Sequence, residues 1–166
     1  METAVKAHSA QTLAAQFDLH TRLFNNVLDG ITDAEAEERA RDTVNHLIWL
    51  AGHLTSTRFG MGKVTGLQEQ DPWSELFSHG HGISDEGDYP SIDEIRAKWN
   101  AISGTISASL AHLPDEVLGS PAPAKVPIDD ETLGGMLAFL MHHEAYHIGQ
   151  MGLLRKYLGK DAMSYA

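Results

Sequence analysis

Four stretches of this chain repeat their apolar residues at helical spacing, and none shows the strict alternation of a half-buried strand. This periodicity restricts the chain to the all-α class, where apolar stripes must be covered by other helices. The predicted architecture is a four-helix bundle with a long connection between helices two and three. The first helix covers residues 5–28, with Leu13, Phe17, Phe24 and Val27 as its buried stripe and Gly30 as its stop. The second covers residues 43–59 and gives way to the glycine-rich run GMGKVTG. The third opens at Ser91, which forms a capping-box pattern with Glu94. Its stripe is Ile95, Trp99, Ile102, Ile106, Leu110 and Leu113, and it ends at Pro114. The fourth starts at Thr132, behind the acidic pair Asp129 and Asp130, and runs to Leu158 before Gly159. At ~1.5 Å per residue it would be roughly 40 Å long.

A length of 166 residues suits one domain, residues 1–166, with a core large enough to need no staples. The connection over residues 60–90 is longer than up-and-down loops require, so it is expected to cross the end of the bundle and wall a pocket.

The net charge of −11, from 23 acidic and 12 basic residues, argues against a protein that grips phosphate backbones or anionic lipid, so neither nucleic acid nor membrane is an expected partner. No stretch approaches the ~20 apolar residues of a membrane span, and the first residues lack the pattern of a signal peptide. A cytoplasmic location is expected. With no cysteine, any metal must be held by histidine, carboxylate or water. Ten histidines in such a chain therefore draw attention to their positions.

The sharpest local pattern is HHEAYHIGQMG in the fourth helix. His143 and His147 are four apart and project from one face, the spacing a metal requires of a single helix. With Glu144 they also match H-E-x-x-H, in which the glutamate is the general base of a zinc protease. The extended protease motif fails, because Gln150 stands at its glycine position, Leu153 stands at its third histidine, and no glutamate follows Glu144. A third ligand must then come from upstream, where helix two carries His46 and His53. They lie roughly 10 Å apart along a helix, too far to share one ion. His53, beside the small Gly52 and near the helix end, is the choice; His46 is the alternate.

The remaining histidines divide by setting. His8, His20, His46 and His112 are read as hydrogen-bonded core residues, and His79 and His81 as loop residues. Glu144 has three candidate roles: orienting an imidazole, serving as a catalytic base, or facing solvent. Gln150 is read as packing near the histidine face, and Trp49, Trp73 and Trp99 as core or loop anchors.

WLAGHL in helix two, HHEAYHIGQMGLLRKYLG in helix four and WSELFSHG…YPSIDEIRAKW between them resemble the DinB-like family of helical-bundle metalloenzymes. The resemblance spans most of the chain. It implies a metal held by one histidine near the end of helix two and two on helix four, which are here His53, His143 and His147. It also implies a homodimer, and relatives of this family include transferases that use a small thiol. His142, His79 and His81 fall outside the pattern.

Three neutral imidazoles leave an open position at the ion, where bound water would be acidified towards neutral pH. Zinc is the expected metal and nickel the second choice. In the transferase reading the open position takes a low-molecular-weight thiol such as bacillithiol, mycothiol or glutathione, which attacks a small-molecule substrate. Two other readings are a hydrolase that uses metal-bound hydroxide with Glu144 managing the proton, and a non-catalytic bundle that binds metal or a small ligand.

Overall fold

The computed structural model describes residues 10–77, 82–83 and 88–166. Among these, the chain is all-helical: α1 (Ala10–Leu28), α2 (Asp33–Ala36), α3 (Leu47–Val64), α4 (Ser74–Phe77), α5 (Ile92–Leu110), α6 (Asp115–Leu118) and α7 (Leu133–Tyr157). The four long helices pack in a closed order, α1 on α5 and α7, and α3 on the same two. The core forms two clusters, one around Phe24, Leu54, Trp99 and Met151, the other around Phe17, Ile106, Leu110 and Leu137. No helix among the described residues is long and apolar enough to cross a membrane.

Local chemistry sets most helix starts. Ser91 caps α5, accepting from the Glu94 amide while the Glu94 carboxylate accepts from the Ser91 amide, as the sequence pattern predicts. Thr132 caps α7 through the Gly135 amide, and Asp130 accepts in turn from the Thr132 amide and hydroxyl. The predicted stripe of α1 is buried throughout, as are Ile95, Trp99, Ile102, Ile106 and Leu110 of α5.

The second long helix departs from its predicted bounds at both ends. It begins at Leu47 rather than residue 43, because His46 has extended backbone angles and its Nδ1 accepts from the Trp49 amide. His46 is thus an N-cap, buried and edge-on to Tyr89. At the far end GMGK continues the helix, since Met61 is buried and Gly62 lies against Leu67, where a Cβ would collide. The turn out comes at Gly66, whose φ of +95° favours glycine.

The long connection also carries helix: α4 turns back onto α3 and seats Phe77 against Gly52. A Cβ at residue 52 would run into the Phe77 ring, so the small residue beside His53 serves this close approach. His8, His79 and His81 lie outside the described residues. His112, read from the sequence as a core residue, is on the surface with its Nδ1 donating to the Ala108 carbonyl at 2.9 Å.

Candidate metal centre

His53 comes from the middle of α3, and His143 and His147 from successive turns of α7. The helices are in direct contact, so one side chain on α3 meets an i, i+4 pair on α7. The Nε2 atoms converge: His53 to His143 is 3.2 Å and His143 to His147 is 3.1 Å. One ligand atom from each residue lies within 4.8 Å of the other two, and the group could hold a metal ion.

The orientation of two of these rings is set from behind. The Nδ1 of His53 lies 3.0 Å from the Phe77 carbonyl, which can only accept, so this nitrogen carries the proton and Nε2 presents a lone pair. The Nδ1 of His147 is 2.7 Å from Gln150 Oε1, which has the same consequence. Gln150 in turn donates to the Tyr146 hydroxyl at 3.3 Å. Trp49 stacks on His53 at 4.9 Å with the rings 7° from parallel, restricting the other face of that imidazole. Burial lowers the His147 pKa below its ordinary 6.5; the Gln150 bond opposes this and His53 adds to it. The ring is therefore neutral near pH 7, the form that binds a cation.

The donor set fits a divalent ion. Lone pairs aimed at one another at this range repel unless a cation or proton lies between them. Tetrahedral zinc with bonds of ~2.0–2.1 Å places its nitrogens about 3.3–3.4 Å apart, close to the His53–His143 and His143–His147 spacings. Nitrogen donors alone also suit nickel and its neighbours in the affinity order.

Glu144 is elsewhere. Although adjacent to His143, it leaves α7 on another face and is 0% exposed, so neither the solvent-facing role nor that of a base beside the ligands matches its position. Its Oε1 accepts from Arg58 Nε at 2.6 Å, and its Oε2 from Arg58 Nη2 at 2.9 Å and from His20 Nδ1 at 3.1 Å. The imidazole it orients is that of His20, a core residue as expected. Burial alone would raise the Glu144 pKa, but Arg58 and His20 outweigh it and hold the carboxyl below its ordinary range. Burial also draws Arg58 below its ordinary value, opposed by Glu144, and an arginine keeps its proton throughout.

Arg58 was not singled out by the sequence reading, yet all four long helices meet at it. Besides Glu144 of α7, its Nη1 donates to Thr21 of α1 at 2.7 Å and to Ser103 of α5, and its Nη2 to the Phe17 carbonyl at 3.3 Å. The guanidinium lies between the rings of Phe17 and Trp99, 3.8 and 3.4 Å from their centroids. The available signal was a lone arginine within the otherwise uncharged run LIWLAGHLTSTRFGMG.

A closed arrangement of four long helices with histidines converging between two of them defines a class, all-helical proteins with an internal three-histidine centre. Residues 16–151 match the family model of the DinB superfamily, and the chain belongs to that superfamily. It is also similar to a solved structure, the conserved protein of a locus from Enterococcus faecalis. The TM-score is 0.65 at 19% identity, covering 95% of this chain and 100% of the other, a likeness of fold. No curated protein matches the chain significantly.

Proposed function

We propose that this protein is a metal-dependent enzyme whose divalent ion is held by His53, His143 and His147, and that it transfers a small thiol to an electrophilic substrate. The observation that carries this reading is the convergence of three Nε2 atoms with no carboxylate joined to the group among the described residues. Neutral imidazoles leave the full double charge of the ion uncompensated, which favours an anionic further ligand. A divalent ion held there would supply the Lewis acidity that keeps a thiol deprotonated near neutral pH.

The chain's own residues do the rest. Phe77 and Gln150 keep the His53 and His147 lone pairs inward, and Trp49 fixes the tilt of His53. The chain has no cysteine, so the thiol must be a separate molecule such as bacillithiol, mycothiol or glutathione. Commitment of Glu144 to Arg58 and His20 removes the base on which the hydrolase reading relied, and this favours the thiol reading. Zinc is the first choice of metal and nickel the second. The same reading places the protein in the cytoplasm, with small molecules as its partners.

The test uses untagged protein loaded with zinc or nickel and a panel of thiols with a model electrophile, alongside ester substrates. Thiol consumption that disappears in His143→Ala supports the transferase. Ester turnover without thiol turnover overturns it in favour of a hydrolase, and metal binding with neither turnover favours a binding protein.

A further inference from the structure

A buried ion pair links the two helices that carry the metal ligands. Arg58 lies five residues after His53 on α3, and Glu144 lies one residue after His143 on α7. We infer that the Arg58–Glu144 pair is a positioning device, fixing the rotation and register of α7 against α3 so that the three Nε2 atoms converge. This rests on the three-histidine reading of the site.

Apolar packing sets the rotation of α7 only coarsely. Its buried residues Leu137, Met141, Ile148 and Met151 share one face with Glu144, but Tyr146, Leu153 and Tyr157 put apolar surface on the exposed side as well, and α3 is buried almost all round from Leu47 to Thr55. The buried face also carries a carboxylate, Glu144, which is 0% exposed, while Leu153 on the opposite side is 69% exposed. A directional contact would fix it more sharply. Side-chain atoms lie about 5–6 Å from a helix axis, so a turn of roughly 20° would move an imidazole nitrogen by about 2 Å, a full metal–nitrogen bond length.

Arg58 has the required directionality. Its five hydrogen bonds use every N–H of the guanidinium, two of them parallel to one carboxylate, and two aromatic rings confine the plane of the fork. Hydrophobic isosteres often match or exceed a buried ion pair in stability, so stability alone does not account for this one.

The experiment is a cobalt(II) titration followed by visible absorption, on wild type, on Arg58→Met/Glu144→Leu, and on Ile106→Ala. Ile106 belongs to the core cluster that contains none of the three histidines, so the last variant is a control for lost stability. The double variant is expected to melt near wild type, bind cobalt at least about tenfold more weakly, and lose the intense bands of four-coordinate cobalt. Ile106→Ala is expected to melt lower and bind as wild type does. A folded double variant with wild-type affinity and spectrum overturns the inference. So does an equal loss of affinity in Ile106→Ala, which would make the effect one of stability. Should the double variant fail to fold, Arg58→Lys, which keeps the charge and removes the fork, is read by the same outcomes. A wild-type protein that binds no cobalt overturns the three-histidine reading itself, a result distinct from the others.

Discussion

Two polar clusters share the helices α3 and α7, and they solve the problem of burial in opposite ways. The Arg58–Glu144–His20 cluster is complete within the chain: positive and negative charge are matched, and the guanidinium donors all have acceptors. The His53–His143–His147 cluster brings together three groups of one kind, at least two of them with inward lone pairs. The first needs nothing from outside; the second is completed by a cation. One residue step along α7, from His143 to Glu144, separates a ligand from a structural anion, because that step turns the side chain by about 100°. Adjacent residues in a motif can therefore serve different clusters.

The largest effect that would sharpen this contrast is on metal content. His53→Ala, His143→Ala or His147→Ala is expected to lower affinity by more than about a hundredfold, since even groups behind the ligands commonly carry about 10–100-fold. Elemental analysis of untagged protein measures it, and full occupancy in any one variant removes that residue from the site. The same substitutions should leave the metal-free protein folded.

Next in size is Glu144→Ala, which strands the Arg58 charge in the core and is expected to cost about 3–5 kcal/mol in urea unfolding. A loss below about 1 kcal/mol would break the contrast, because the cluster would then not be a closed electrostatic unit. Gln150→Leu removes the acceptor behind His147 and should weaken metal binding about tenfold while changing stability little.

The smallest effect is in pH dependence. The His147 pKa lies below 6.5 in the folded state, so between that lowered value and 6.5 the unfolded chain binds the additional proton. Stability of the metal-free protein should accordingly rise with pH through this window, be complete above 6.5, and fall as pH drops below it. His147→Gln should flatten that slope in urea titrations from pH 5 to 7.5; an unchanged slope would show that His147 is not held neutral by its surroundings.

Much of this could be read directly from the chain. Local rules act over one or two turns, so the helical class, the Ser91 and Thr132 caps, the buried stripes of α1 and α5, and the pairing of His143 with His147 all followed from spacing. The start of α3 did not, because His46 is a poor N-cap by propensity and is made one by a side-chain bond to Trp49. Which of the three roles open to Glu144 it takes was not legible for a related reason: H-E-x-x-H states which residues are near in sequence, while Arg58, which holds the glutamate, lies 86 residues away.

Sequence alone therefore determined which side chains are available: imidazoles without thiols, an acidic surface, and helices whose periodicity requires mutual burial. Tertiary structure decided which of them meet. The choice of His53 rests on the contact of α3 with α7 and on Phe77 seated against Gly52, and the fate of Glu144 on Arg58 reaching across the core. Both are pairings between distant segments, set by the rotation of one helix against another. Apolar residues on more than one face of α3 and α7 leave that rotation only coarsely set by hydrophobic pattern, and directional polar contacts can sharpen it.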